Sequence, residues 1–155
     1  MVNHLNKGIS RFLKYGTLIS TTGLIGMVCV QIFARFALES APSWTEEASR
    51  VFFIFAISFG AGLALKDHYF VALDVFYDKF PDKVKTLLNV GISLLNFALF
   101  TIFLIYSIFF IQLGSVETSP SLGISMAIPF ISMVILGLFM AYFSFLQLLK
   151  AFKKL

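Results

Sequence analysis

The chain has 155 residues, of which 59% are hydrophobic and 13% charged, far from the soluble balance of about half apolar and a quarter charged. Its 20 phenylalanines exceed what a soluble core of one domain can hide, so the sequence describes an integral membrane protein. The net charge of +4 is gathered at the ends of apolar segments, which suits orientation in a bilayer and excludes nucleic acid as a partner. Cys29 is the single cysteine, which excludes an intramolecular disulfide framework and a cysteine metal cluster.

Residues 1–14 place Lys7, Arg11 and Lys14 on one helical stripe and Leu5, Ile9, Phe12 and Leu13 on another. This is a basic amphipathic segment suited to the headgroup layer. Tyr15 to Ala34 follows with 20 uncharged residues, longer than the apolar region of a signal peptide and without a small-x-small cleavage site. It predicts a retained first span over about 15–36, with Arg35 at its far end.

Glu39 to Ser43 is a short connection broken by Pro42, and Ser43 or Thr45 is placed to cap the next helix. Span two is expected over about 45–65. Its uncharged part, Val51 to Leu65, has only 15 residues, or roughly 22 Å of helix, where a bilayer crossing needs around 20 residues. The turn Trp44-Thr45-Glu46-Glu47-Ala48-Ser49-Arg50 therefore lies at or just under the membrane surface. Trp44 suits the headgroup boundary. Helical spacing lets both Glu46 and Glu47 reach Arg50, and Arg35 can turn inward to meet them. We expect these four charges to form one network fixing spans one and two, with removal of Arg50 costing several kcal/mol through unpaired carboxylates, as for breaking a buried pair. Farther along, Gly60 and Ala64 form a small-xxx-small pair for close helix contact.

Residues 67–82 carry Asp67, Asp74, Asp78 and Asp82 on one stripe and apolar side chains on the other, which predicts a second interfacial helix over about 69–80, ended near Pro81. Asp67, His68 and Asp74 match no usual metal-ligand spacing. Span three is expected over 85–113; its 27 uncharged residues from Leu87 to Leu113 allow tilting. Asn89, Ser93, Asn96 and Thr101 give it a sparse polar side, and the helical spacing of Asn89, Ser93 and Asn96 directs them at other helices. A loop with Glu117, Ser119-Pro120, Ser121 and Gly123 leads to span four, expected over 125–149 with Pro129 in its first turns. The whole is a single all-α domain of four transmembrane helices. Ten lysines and arginines fall on the side holding residues 1–14, 66–85 and 150–155, and two on the other. That bias predicts both termini in the cytoplasm and the Trp44–Arg50 turn on the outer side.

Catalytic chemistry is missing. His4 and His68 lie outside the spans, so no pair can clamp a haem. There is no Gly-rich phosphate loop, GxSxG or HExxH, no carboxylate at mid-depth for a proton or sodium relay, and no span broken by Gly/Pro pairs. No catalytic, cofactor or metal site is expected, and the residues describe an accessory subunit. The competing readings are a self-assembling small channel or exporter and the membrane anchor of a redox complex.

Arg35, the Trp44-x-Glu46-Glu47-x-x-Arg50 block, Gly60-Ala61-x-x-Ala64, then His68, Asp74 and Pro81, and finally Ser119-Pro120 with Leu122 occur in an order that resembles the small (Q-type) membrane subunit of tripartite ATP-independent periplasmic (TRAP) transporters. The resemblance covers nearly the whole chain and departs at Gly123-Ile124-Ser125-Met126, where the family pattern has a proline or tryptophan. It implies a multi-pass protein of the bacterial inner membrane. It implies packing beside the scaffold of a large (M-type) membrane subunit that holds the substrate and sodium sites. A soluble periplasmic protein would deliver an organic acid, of C4-dicarboxylate or sialic acid type, for sodium-driven symport. Phospholipids are the remaining expected partners. On this view Glu117 and Ser121, in an outer loop, are candidate contacts for the periplasmic protein.

Overall fold

The computed structural model describes residues 2–37, 42–67 and 81–153. It contains four helices, α1 (Val2–Ala37), α2 (Ser43–Lys66), α3 (Asp82–Gly114) and α4 (Ala127–Phe152), each long and apolar enough to cross a membrane. The four expected spans are all present, and each helix runs a few residues past its expected uncharged stretch. At the start of the chain the extension is larger: the basic amphipathic segment and span one form a single helix from Val2 to Ala37. Glu39, His68, Asp74 and the interfacial helix expected over 69–80 lie outside the described residues.

Two of the helices begin directly after a proline. Pro42 and Pro81 hold φ −61° and −64° with extended ψ, a geometry the ring imposes before a helix. Neither helix has a side-chain cap, which corrects the capping role expected of Ser43 or Thr45. Ser43 is already the first residue of α2, and the fully buried Thr45 turns its hydroxyl the other way, donating to the Pro42 carbonyl at 2.7 Å.

Helix α2 packs antiparallel on α1, α4 packs antiparallel on α3, and the two pairs join where α2 meets α4. The helices thus stand in a row, α1–α2–α4–α3, and the seam between α2 and α4 is parallel. Lipid offers no hydrophobic drive for helix association, so close approach of small residues carries much of the packing. Helix α4 supplies the clearest case: Ser132, Gly137, Ala141 and Ser144 are all buried, on a helix with neighbours on two faces. At Gly137 a Cβ would lie 3.0 Å from the Leu104 Cα of α3, so the two backbones meet there. On the other side of the row, Gly16 of α1 lies against the ring of Phe59, where a Cβ would come within 2.7 Å.

The apolar core formed by Leu13, Phe59, Leu65, Met140 and Phe143 lies where α1, α2 and α4 converge, toward the end of the row that carries Lys66 and Lys150. Phe12 stands edge-on to Phe59 at 5.6 Å between ring centroids, and the Tyr142 hydroxyl donates to Asn6 Oδ1 at 2.9 Å. The rest of α1 and α3 is apolar and uncovered; Phe33 and Phe36 are 74% and 84% exposed, and Leu95 is 71%. These faces meet lipid or another membrane chain.

Gly137→Val forces the Leu104 backbone outward and is expected to destabilise the fold by about 1–3 kcal/mol, the usual cost of overpacking. Gly91→Ala, where a Cβ meets nothing within 4 Å, is expected to raise stability by up to about 1 kcal/mol through helix propensity. Thermal unfolding of the purified protein in detergent compares the two.

Candidate functional site

The residue type that needs most explanation is a carboxylate close to an apolar span, and α2 carries two in succession. They part company. Glu46 pairs with Arg50 one turn later at 3.4 Å, and both side chains are largely exposed, at 66% and 70%. An exposed i,i+4 pair of this kind contributes little. Glu47 is half-buried and looks away from Arg50, toward the loop between α3 and α4.

That loop is folded to receive it. Thr118 and Ser125 form an isolated antiparallel bridge, Ser119 N–H donates to the Ile124 carbonyl at 2.8 Å and Gly123 N–H to the Ser119 carbonyl at 3.0 Å. The turn closes because Gly123 adopts φ +66°, a conformation that costs glycine least. Pro120 has no N–H to donate, and the two amides that follow it point the same way. Ser121 N–H and Leu122 N–H donate to Glu47 Oε2 at 3.1 and 3.0 Å, and the Ser119 hydroxyl donates to the same oxygen. Successive amides in a tight turn make a concavity for an anion; here the anion is a side chain from a helix 72 to 75 residues earlier. Three donors on one oxygen suit an ionised carboxylate, which accepts and cannot donate. At the end of the loop Ser125 secures both flanking helices. Its hydroxyl donates to the Gly114 carbonyl at 3.1 Å and accepts from Ala127 N–H at 3.2 Å.

The four-charge network expected of Arg35, Glu46, Glu47 and Arg50 is therefore not what the geometry shows. Among the described residues Glu46 pairs with Arg50 alone, and Arg35, exposed at the end of α1, pairs with neither Glu46 nor Glu47. The physical reason is that backbone amides brought by the α3–α4 loop outcompete a guanidinium that stays in the open. Trp44 is 43% exposed at the head of α2, beside this site. Of the small pair on α2, Gly60 has only Thr17 within ordinary contact at 3.9 Å, and Ala64 is half-buried. The tight approach is two residues on, at Gly62, where a Cβ would lie 3.1 Å from both Leu13 and Phe139. Glu117 is exposed in the loop and Ser121 is half-buried through its bond to Glu47.

Sequence reasoning noticed Glu47 and the Ser119-Pro120 turn separately and missed that they bind each other. The available signal was the donor-rich turn itself: hydroxyl, proline, amides and a glycine in sequence. At the opposite end of the seam, Gln147 Nε2 donates to the Leu65 carbonyl at 2.9 Å, a tie that no local pattern announces. No charged side chain lies between Lys14 and Arg35 in α1, between Arg50 and Lys66 in α2, between Lys85 and the end of α3, or before Lys150 in α4. The arrangement braces helices; it offers no mid-membrane ion or proton station.

Comparison with known proteins agrees with this architecture. The family model of the DctQ component of tripartite ATP-independent periplasmic transporters matches residues 24–154, and the chain belongs to that family. Over 149 residues it is 22% identical to a Haemophilus influenzae protein named for the small permease of a TRAP transporter, covering 96% of this chain and 90% of that one. It is 27% identical over 90 residues to the sialic acid TRAP transporter small permease protein SiaQ of Vibrio cholerae, covering 58% of this chain and 52% of the relative. A further match, 25% identical over 85 residues, is to the sialic acid TRAP transporter permease protein SiaT of Haemophilus influenzae, covering 55% of this chain and 14% of the relative. The protein is thus a multi-pass inner-membrane subunit of the small-permease class.

Glu47→Ala is expected to accelerate hydrogen exchange at the Ser121 and Leu122 amides by at least about tenfold, because they lose their acceptor. Arg50→Ala is expected to leave both amides as protected as before. Exchange read by mass spectrometry on the detergent-purified protein separates the two variants.

Proposed function

We propose that this chain is the non-catalytic small membrane subunit of a sodium-driven TRAP transporter. It packs against the large permease and widens that subunit's stationary scaffold during uptake of an organic acid. The observation that carries the reading is the combination of a braced row of helices with no Asp, Glu, Lys, Arg or His at mid-depth. Such a row can hold a neighbour in place but has no group with which to bind a charged solute or a coupling ion. The uncovered apolar faces of α1 and α3 are the available surfaces for that neighbour. The match to SiaT supports close packing of the two parts, since a stretch like this one forms a portion of a longer permease chain. The names of the SiaQ and SiaT relatives make sialic acid one candidate solute and C4-dicarboxylates, from the family resemblance, another.

We further propose, from the charge bias, that both termini lie in the cytoplasm. The loop clamped by Glu47 then faces the periplasm, with Glu117 exposed on it as a contact for the solute-delivering protein. Tight seating on Glu47 keeps this loop in one shape for such a contact.

Reconstitution into vesicles under an inward sodium gradient tests the assignment. The chain alone is expected to give no uptake of sialic acid or C4-dicarboxylate above that of empty vesicles. Together with its large permease and binding protein it is expected to support sodium-dependent uptake of one of them. Solute flux through the isolated chain would contradict the reading.

A further inference from the structure

Helices α3 and α4 touch backbone to backbone at Leu104 and Gly137 and keep contact through the Phe97–Phe145 ring pair, 5.4 Å between centroids. Beyond that level they leave a groove of about 550 Å³, within the range of roughly 300–1,000 Å³ typical of ligand clefts. Its position follows from helix rise. Lys150 lies 13 residues after Gly137 and Asn89 lies 15 before Leu104, so the groove is roughly 20 Å from the contact point, at the membrane boundary. Thr86, Asn89 and Ser93 line it from α3, and Gln147, Lys150 and Lys153 from the end of α4. Among the described residues, none of its lining side chains is acidic. Lys150 and Lys153 are exposed at its rim, and Ser93 is buried in its wall.

A gap between two spans that merely met lipid tails would be lined by apolar side chains. Six of the eight described residues lining this one carry hydrogen-bonding or ammonium side chains, set in a wall that is otherwise hydrocarbon, and it opens onto apolar surface. Phe145, next along α4 toward mid-membrane, is exposed and pairs with Phe97 of α3. Charge at the boundary and apolar surface below it are the two halves of a phospholipid. Basic grooves between spans recognise anionic headgroups on these grounds.

We propose that the α3–α4 groove binds the phosphate headgroup of an anionic phospholipid, with Lys150 and Lys153 as its charge partners and the acyl chains lying over the Phe97–Phe145 pair. This rests on membrane location alone and not on the identity of the solute or of the partner chain.

The complex with its large permease, exchanged into an equal mixture of phosphatidylglycerol and phosphatidylcholine, is examined by native mass spectrometry. The wild type is expected to retain phosphatidylglycerol in preference to phosphatidylcholine. Lys150→Gln/Lys153→Gln is expected to lower that retention about tenfold, given the attraction of each lysine near an anionic surface. Lys150→Arg/Lys153→Arg is expected to restore it, and Lys7→Gln/Lys14→Gln to leave it largely intact. Equal retention in wild type and the glutamine pair would overturn the proposal. So would an equal loss in the Lys7/Lys14 pair, displacement of the lipid by inorganic phosphate or glycerol 3-phosphate, or crosslinking of Asn89→Cys to the large permease with no lipid retained. The same comparison can be run on the chain purified alone, so failure here is separable from failure of the subunit assignment.

Discussion

The parallel seam between α2 and α4 is the contact on which the rest of the fold depends, because it is what turns two helical hairpins into one body. It is tied at three levels. At one end the Glu47 carboxylate accepts from Ser119, Ser121 and Leu122. In the middle Gly62 admits Phe139 and Leu13. At the other end Gln147 donates to the Leu65 carbonyl. Within a bilayer both partners of such a seam are otherwise solvated equally well by lipid, so hydrogen bonds at its ends and close packing between them fix the register. The Glu47 tie has a second effect. It draws the α3–α4 loop over the head of α2, which gives a carboxylate near an apolar span the donors it needs.

A row with this seam at its centre leaves its flanks free. Helices α1 and α3 each spend one side on a neighbour and keep the other for the surroundings, so a large apolar area faces outward. A square bundle would bury more of that area internally. An open row suits a subunit that works with a larger permease, as the small subunits of TRAP transporters do.

Much of the fold was legible because membrane insertion restricts the possibilities: long uncharged stretches in lipid must be helices or closed barrels, and turn residues with charged ends mark where each stops. The family order of Trp44, Glu46, Glu47, Arg50 and the Ser119-Pro120 turn was legible for the same reason, since these residues stand out against an apolar background. The partners were not. Spacing along a helix correctly offered Arg50 to Glu46, but it offered the same guanidinium to Glu47 and could not weigh it against amides more than 70 residues away. Gly60 and Ala64 were picked by a motif, whereas Gly62 and Gly137 are the close contacts. The difference is which face turns toward a neighbour, and an all-apolar helix leaves no polar side to reveal it. That the N-terminal basic segment continues unbroken into α1 was likewise hidden, because the sequence there has neither a proline nor a cap to mark a boundary.

The most direct test of the seam is a distance measurement across the Glu47 tie. Spin labels at Ser43→Cys and Glu117→Cys, both exposed positions, with Cys29 replaced by alanine, report the head of α2 against the loop by electron–electron double resonance. The account predicts one narrow distance distribution with Glu47 in place and a broadened, longer one in Glu47→Ala. Identical distributions in the two proteins would show that the carboxylate does not hold the hairpins together.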